Sequence, residues 1–115
     1  MIGLFVAALL AGQEPGAMAG IYETRQMEVG ATIELKTDGT FRYMLDYGAV
    51  SEAAEGHWTM DEGLVHLDSD PLATNVMMQL ERSDAAFHDE RLAIDHGALV
   101  MRRYDTLFTF YRDDE

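Results

Sequence analysis

The sequence predicts an all-β fold, an antiparallel up-and-down barrel of about eight strands, with an open β-sandwich as the alternative. Short segments alternate between apolar and polar side chains along most of the chain, and turn-forming residues separate them. No segment has the apolar periodicity of a long amphipathic helix. The length of 115 residues is that of one domain, with the barrel expected at 20–112 and an acidic tail at 113–115. Such a barrel encloses either a packed interior or one small ligand.

Residues 1–19 are predicted to be an export signal followed by a linker. Residues 1–12 form an uncharged apolar run that is too short to span a membrane and is typical of the apolar part of a signal peptide. Ala17-Met18-Ala19 fits the small-x-small pattern of a cleavage site, so we expect the mature chain to begin at Gly20. The alternative is that the apolar run is retained as a helix or as a first buried strand.

The first strand is predicted at residues 20–29, followed by a turn at Gly30-Ala31. Its apolar face is predicted to carry Ile21, Met27 and Val29, and its other face Tyr22, Thr24 and Gln26. Glu23 and Arg25 share the apolar face and interrupt the pattern. An edge strand or a barrel-closing strand tolerates such an interruption.

A first β-hairpin is predicted around a three-residue loop, Thr37-Asp38-Gly39. A two-residue turn at Asp38-Gly39 would place Leu35 opposite Arg42 and mix core and charge on one face. The three-residue loop separates the faces and gives three cross-strand pairs: Leu35 with Phe41, Ile33 with Tyr43, and Glu34 with Arg42. It also places Gly39 where a type I turn followed by a bulge requires a left-handed residue.

A second hairpin is predicted around a two-residue turn at Glu62-Gly63. The resulting pairs on the apolar face are Trp58 with Leu67 and Met60 with Val65. The pairs on the polar face are His57 with Asp68 and Thr59 with His66. Because a buried indole requires a partner for its N–H group, we expect Trp58 to lie near an end of the barrel.

The remaining segments complete the strand count. Residues 46–55 are predicted to be a longer connection, in which Gly48 breaks the strand and Ser51-Glu52-Ala53-Ala54 can hold one helical turn. Residues 68–71 are predicted to turn, and residues 83–91 to form a polar loop carrying Phe87. The further predicted strands are residues 76–82, a hairpin of 92–94 and 99–101 around a tight His96-Gly97 turn, and residues 107–112 with Phe108 and Phe110 on one face.

Several short motifs resemble those of known β-domains. Four motifs resemble those of the calyx-forming domains of bacterial envelopes: Gly20-Ile21-Tyr22, Leu35-x-x-Asp38-Gly39-x-Phe41-x-Tyr43, Gly56-x-Trp58 and Val65-x-Leu67. These domains include lipocalin-like domains and the amino-terminal barrel of the copper-stress lipoprotein type. Small secreted proteins of Gram-negative bacteria resemble this chain in Tyr47-Gly48-Ala49, Glu55-Gly56-x-Trp58 and Ser69-Asp70-Pro71. The resemblance covers about half of the chain and implies a lipocalin-like barrel that is periplasmic or secreted. The copper-stress type carries a Cys pair and a lipidated Cys, whereas this chain has no Cys, so the resemblance implies neither thiol metal binding nor lipid anchoring.

The charge balance restricts the choice of partners. Eight Lys and Arg residues against 21 Asp and Glu residues give a formal net charge of −13, which repels phosphate backbones and anionic membrane surfaces. We therefore expect no nucleic-acid partner and no membrane insertion of the mature chain, and we expect a monomer without a cofactor.

Side-chain chemistry suggests three candidate sites. Aromatic residues expected inside the barrel can line a pocket for a small apolar ligand: Phe41, Tyr43, Trp58, Phe108 and Phe110. The connection at residues 46–55 offers a surface for a protein partner through Tyr47, Glu52 and Glu55. The polar face of the second hairpin brings together His57, His66 and Asp68, a combination that can bind zinc or copper. Each set also has a simpler explanation, because aromatic side chains fill cores and exposed histidines are usually solvated.

No motif for catalysis is present in the sequence. The Gly-x-Ser-x-Gly, P-loop, Gly-x-Gly-x-x-Gly and His-Glu-x-x-His patterns are absent. We therefore expect a non-enzymatic, exported, acidic binding module for a small apolar ligand or an envelope protein. The alternatives are a periplasmic metal-handling protein and a structural domain without a ligand. An inward-pointing Arg25, Arg102 or Arg103 would favour an anionic ligand such as a fatty acid carboxylate.

Overall fold

The computed structural model of the chain describes residues 15–26, 28–71 and 82–113. These residues form a closed antiparallel β-barrel of eight strands, which has the architecture of a lipocalin-like barrel. The predicted fold class is therefore confirmed. The alternative of an open β-sandwich is excluded, because the last strand pairs with the first.

The described elements are one short helix and nine strands: α1 (Pro15–Met18), β1 (Gly20–Gln26), β2 (Val29–Leu35), β3 (Thr40–Tyr47), β4 (Val50–Asp61), β5 (Leu64–Asp70), β6 (Ser83–Asp84), β7 (Glu90–Asp95), β8 (Ala98–Arg103) and β9 (Thr106–Arg112). The order around the barrel is β3-β2-β1-β9-β8-β7-β5-β4, and β4 pairs with β3 to complete the circle. The two-residue strand β6 lies outside these eight and pairs in parallel with Glu52 and Ala53 of β4.

The up-and-down topology gives the barrel two ends. We call the end with the turns at residues 48–49 and 104–105 the Tyr47 end. The opposite end, with the loops at residues 37–39, 62–63 and 96–97, is called the Trp58 end.

The register of the first hairpin is as predicted. Leu35 pairs with Phe41 across the three-residue loop, and the further predicted pairs of this hairpin are also present. The amide of Gly39 donates to the carbonyl of Lys36 at 3.1 Å, which closes the turn. Gly39 has a φ of 90°, the left-handed conformation that the bulge after a type I turn requires.

The register of the second hairpin is also as predicted, with Trp58 opposite Leu67 and His57 opposite Asp68. The indole Nε1 of Trp58 donates to the carbonyl of Lys36 at 2.9 Å. Because Lys36 begins the loop between β2 and β3, this bond places Trp58 near an end of the barrel, as expected from the need of a buried indole for an acceptor.

The predicted faces of the first strand are wrong at Ile21, Tyr22 and Thr24, whereas Met27 lies outside the described residues. Tyr22 and Thr24 point into the barrel with 0% and 2% exposure, whereas Ile21 is 41% exposed. The phenol of Tyr22 donates to the carbonyl of Met18 at 2.7 Å, so its oxygen is satisfied in the core. The residues of β1 that alternate with Tyr22 and Thr24, which include the exposed Arg25, face solvent.

The first strand also ends earlier than predicted. β1 stops at Gln26, which pairs with Val29 across a turn that contains Glu28. Gly30 and Ala31, predicted to form the turn, are paired residues of β2. The inward positions of β2 are Val29, Ala31, Ile33 and Leu35. Because Ala31 has a small side chain, the apolar alternation at the start of β2 is weak in the sequence, and these residues were therefore predicted to turn.

The predicted connection at residues 46–55 is a tight turn followed by a long strand. Gly48 and Ala49 form the turn, and β4 begins directly after it. Alanine and glutamate favour a helix locally, but pairing with β3 overrides that preference, since Ala54 is buried opposite Tyr43.

Residues 68–70, predicted to turn, belong to β5, which ends directly before Pro71. The predicted strand at residues 76–82 lies outside the described residues except for Arg82. The tight turn at His96-Gly97 is present between β7 and β8, and it directs Leu99 and Met101 inward.

The segment predicted as a polar loop at residues 83–91 contributes to the core. Phe87 is 1% exposed and packs with the inward residues of the barrel. Glu90 and Arg91 already belong to β7. Phe108 and Phe110 of β9 both point inward, as predicted.

The residues before β1 are attached to the Trp58 end of the barrel. Met18 is 4% exposed and belongs to the hydrophobic core. The guanidinium of Arg112 donates to the carbonyl of Ala17 at 2.7 Å and to that of Ala19 at 2.6 Å. The predicted cleavage after Ala19 would therefore remove a segment that packs against the barrel.

Candidate ligand site at the Tyr47 end

The five aromatic residues predicted to line a ligand pocket all point into the barrel: Phe41, Tyr43, Trp58, Phe108 and Phe110. Each is at most 5% exposed and belongs to one hydrophobic core. Phe87 packs among them, with ring centroids 4.8 Å from Tyr43 and 6.2 Å from Phe41. These rings therefore contact one another in the core, and Phe108 in addition borders a cleft that opens to the outside.

This cleft lies at the Tyr47 end and has a volume of about 500 Å³. The ends of four neighbouring strands, β1, β2, β3 and β9, supply its walls, together with the turn between β1 and β2. The described lining residues are Gln26, Glu28, Val29, Tyr47, Thr106 and Phe108. Its lining combines an apolar wall with a few polar groups, the usual composition of a small-molecule site.

Aromatic rings form one side of the cleft. Tyr47 is 37% exposed, and its ring meets the ring of Phe108 edge to face, with centroids 6.1 Å apart and an interplanar angle of 88°. The ring of Tyr104 also contacts that of Tyr47, with centroids 6.1 Å apart. Edge-to-face contacts of this kind hold the rings in defined orientations.

Gln26 closes the seam between β1 and β9 beside the cleft. The backbone ladder between these strands has two residue pairs near the Trp58 end. Towards the cleft, Nε2 of Gln26 donates to the carbonyl of Leu107 at 3.3 Å, and its Oε1 accepts from the amide of Thr109 at 3.4 Å. The side-chain amide of Gln26 thus makes the hydrogen bonds to β9 that backbone groups of β1 make closer to the Trp58 end.

An ion pair lies at the same end of the barrel. Arg103 donates from Nε to Oε1 of Glu52 at 2.9 Å and from Nη2 to Oε2 at 2.6 Å, and Tyr43 donates to the same carboxylate at 3.2 Å. Burial opposes ionisation of Glu52, but the hydrogen bonds from Arg103, Tyr104 and Tyr43 and the charge of Arg103 together outweigh it and lower the pKa of this carboxyl. Burial, followed by the charge of Glu52, raises the pKa of Tyr43. Both changes favour a neutral phenol beside an ionised pair.

A second arginine is occupied in the same region. Arg82 donates to the carbonyls of Leu45 and Glu52 at 3.1 and 3.3 Å and to the carboxylate of Asp46 at 3.0 Å. The hydrogen bond from Arg82 lowers the pKa of Asp46. Arg82, the residue directly before β6, is therefore bound to both strands of the β3–β4 hairpin.

The three arginines considered in the sequence are placed differently. Arg25 and Arg102 are exposed, and Arg25 borders a shallow outer concavity of about 570 Å³ above Gly30. Arg103 is the one that points inward, but Glu52 already neutralises it. An inward-pointing arginine, which was expected to favour an anionic ligand, is therefore present, but its charge is already paired with that of Glu52.

The predicted partner-binding residues do not share a loop. Tyr47 ends β3, and Glu52 and Glu55 belong to β4. Tyr47 and Glu55 are exposed, whereas Glu52 is 6% exposed and bound to Arg103. Of these three residues, Tyr47 is the one that the structure places at the cleft.

The predicted metal ligands lie on the outer face of β4 and β5. His57 faces Asp68, as expected, but Nδ1 of His66 contacts Oδ1 of Asp89 at 2.5 Å. The amide of Asp89 donates to Asp68 at 2.8 Å. Within residues 15–26, 28–71 and 82–113, no group of three His, Asp or Glu side chains is arranged to hold a metal ion.

Sequence reasoning missed the roles of several residues at the Tyr47 end. Phe87 is the one large apolar side chain in the polar stretch 83–91, and this isolation was the available signal that it is buried. Glu52 and Arg103 are 51 residues apart, and no local pattern connects them. Gln26 gives no sequence signal for its role, because that role depends on where β9 closes the barrel.

Comparisons with protein-family models, with curated proteins and with solved structures found no match. No helix in the described part of the chain is long and apolar enough to cross a membrane.

Proposed function

We propose that this protein is an exported binding module of the bacterial envelope that takes a small apolar ligand in the cleft at the Tyr47 end. The observation that carries the proposal is the cleft itself, about 500 Å³ in volume, with Tyr47 and Phe108 on one wall. Its volume lies within the range of small-molecule sites. The ligand position differs from the interior pocket suggested by the sequence, because the interior rings pack against one another. The protein acts by binding, without catalysis.

The proposed location rests on the sequence. The apolar run at residues 1–12 is typical of a signal peptide, and the short motifs resemble lipocalin-like secreted domains of Gram-negative bacteria. The net charge of −13 keeps an exported domain soluble and disfavours anionic partners. These features support a periplasmic or secreted protein of the lipocalin-like type.

A protein partner at the same end is the second candidate, favoured by exposed apolar side chains. Four of these lie next to the turns of the Tyr47 end: Tyr47, Val50, Tyr104 and Leu107. Their exposure ranges from 37% to 60%. A small ligand and a protein partner differ in size. The cleft is too small to admit a folded protein, whereas the four exposed side chains around it can contact one.

Fluorescence titration with N-phenyl-1-naphthylamine tests the ligand proposal. This probe is apolar and uncharged, so the net charge of the protein does not repel it. We expect Tyr47→Ala to weaken probe binding by about tenfold, because it removes one aromatic wall. Tyr111→Ala is the matched control, since Tyr111 is an exposed tyrosine of β9 that does not line the cleft. Absence of binding, or equal weakening in both variants, would contradict the proposal.

Native mass spectrometry of the protein from its own host, prepared without chelator, separates the remaining alternatives. A bound mass of a few hundred daltons would identify the ligand class directly. A metal-sized adduct that is lost in His57→Ala would instead support the metal-handling alternative. A bare chain would favour the protein partner or the structural domain without a ligand.

A further inference from the structure

We propose that the cleft selects amphiphilic cations, namely ligands with an apolar body and an ammonium-type head, over anions of the same size. This inference rests on the proposed function and adds the charge of the ligand to it. Three features of the Tyr47 end support it, and they are independent of the resemblance to any family.

The first feature is the charge of the lining. Glu28 is the one charged side chain among the described residues that border the cleft, and none of them is basic. The rest of the lining is neutral, with the polar groups of Gln26, Thr106 and the Tyr47 hydroxyl. The whole chain has a formal charge of −13, which raises the local concentration of cations and lowers that of anions.

The second feature is the state of Arg103 and Arg82, the two partly buried arginines at this end, since the exposed Arg25 and Arg102 do not line the cleft. Arg103 is held by Glu52 through two short bonds and donates also to the carbonyl of Ala85 at 3.3 Å. Arg82 is held by Asp46 and by two carbonyl groups. A ligand carboxylate would have to displace these partners to reach a guanidinium, and displacing Glu52 would leave a buried carboxylate without its cation.

The third feature is the aromatic wall. The face of an aromatic ring attracts a cation that lies within about 6 Å of its centroid. The protein already uses this interaction here, because the guanidinium of Arg103 lies 5.0 Å from the ring of Phe87 and 5.3 Å from that of Tyr104. The partly exposed ring of Tyr47 and the carboxylate of Glu28 offer a ligand cation the same pair of attractions, an aromatic ring and an anion.

Competition between matched detergents tests this inference. Decyltrimethylammonium and decyl sulfate have the same alkyl chain and opposite charge, and each is titrated below its critical micelle concentration against bound N-phenyl-1-naphthylamine. We expect the cation to displace the probe at a concentration at least about tenfold lower than the anion. The difference should shrink as salt is added, because part of it comes from exposed charges.

Two variants separate the cleft from the overall charge. Glu28→Gln should reduce the preference for the cation over the anion about threefold, with each displacement referred to the affinity of the same variant for the probe. Glu62→Gln is the matched control, because it makes the same change of net charge in a turn at the Trp58 end. Equal effects of the two variants would overturn the inference, since the preference would then be a property of the whole surface.

The outcomes also separate this inference from the proposed function. If the neutral probe does not bind the wild-type protein, both proposals fail. If the probe binds and the anion displaces it as well as the cation or better, the preference for cations is wrong and the ligand site stands.

Discussion

Arg103 and Glu52 form a two-pronged ion pair that joins the last residue of β8 to β4, with an Nη2–Oε2 distance of 2.6 Å. The side chains are 19% and 8% exposed, so both charges are largely removed from water. The hydrogen bond to Glu52 raises the pKa of Arg103, and the phenol of Tyr43 satisfies a further lone pair of the carboxylate. The pair therefore acts as a connector at the end of the barrel where we place the ligand.

Removing one member of this pair should destabilise the fold strongly. We expect Arg103→Met to lower the free energy of unfolding by about 3 kcal/mol, because Glu52 then remains buried without a cation. Urea denaturation followed by tryptophan fluorescence measures this well, since Trp58 is the single tryptophan and is buried. Arg102→Met is the control, with a change of less than about 0.5 kcal/mol at an exposed site.

The double variant Glu52→Gln/Arg103→Met identifies the cause. If the loss comes from an unpaired charge, neutralising Glu52 should restore part of the stability that Arg103→Met removes. A double variant that is less stable than Arg103→Met would show that the packing of the arginine side chain is responsible.

The contact between His66 and Asp89 should make stability depend on pH. The hydrogen bond between them lowers the pKa of Asp89, so its contribution is present above the ordinary carboxyl value of 3.8 and is lost as the pH falls through the folded value. The same bond raises the pKa of His66, so its contribution is complete below the ordinary value of 6.5 and is lost as the pH rises through the folded value. The pair therefore contributes most between these two values.

Thermal denaturation of the wild type and of Asp89→Asn across this range measures the effect. The difference between them should be largest in the window and decrease on both sides. Asparagine suits this position because Asp89 has a φ of 51°, a conformation that asparagine tolerates. A difference that stays constant from acid to alkaline pH would show that the ion pair does not contribute.

Gly56 should not tolerate a side chain. A Cβ at this position would lie 2.6 Å from Cα of Ser69 and would also collide with the carbonyl oxygen of Asp68, both on the backbone of β5. We expect Gly56→Ala to cost at least about 2 kcal/mol, because a backbone contact cannot yield as a flexible side chain does. Gly30→Ala is the control, since nothing lies within 4 Å of its added Cβ, and chemical denaturation should show it near wild-type stability.

The segment before β1 should contribute to the stability of the barrel. Met18→Ala is expected to lower the free energy of unfolding by about 2 kcal/mol, because it leaves a cavity in the core. Met18→Leu conserves most of the volume and serves as the control. A chain that begins at Gly20 should show at least the loss of Met18→Ala in urea denaturation, because it also lacks the carbonyl groups that Arg112 binds. Equal stability of chains beginning at Pro15 and at Gly20 would contradict this.

The sequence by itself determined the parts of the fold that are local. The barrel class and the registers of two hairpins follow from it, because loop length and turn residues set which side chains face each other. The pair of Leu35 with Phe41 and that of Trp58 with Leu67 were predicted in this way, and both are present. For the candidate site, sequence reasoning selected Tyr47 and Phe108 and placed them in separate groups.

The tertiary structure decided what depends on residues far apart in the chain. Tyr22 is buried with its hydroxyl bound to the carbonyl of Met18, and Ala54 belongs to a strand because β3 lies beside it. The cleft exists because closing the barrel brings β9 next to β1, and Arg103 is unavailable to a ligand because Glu52 meets it there. A periodic pattern records which face of a segment is buried, but not which distant segment covers it. That information is present only once the chain has closed on itself.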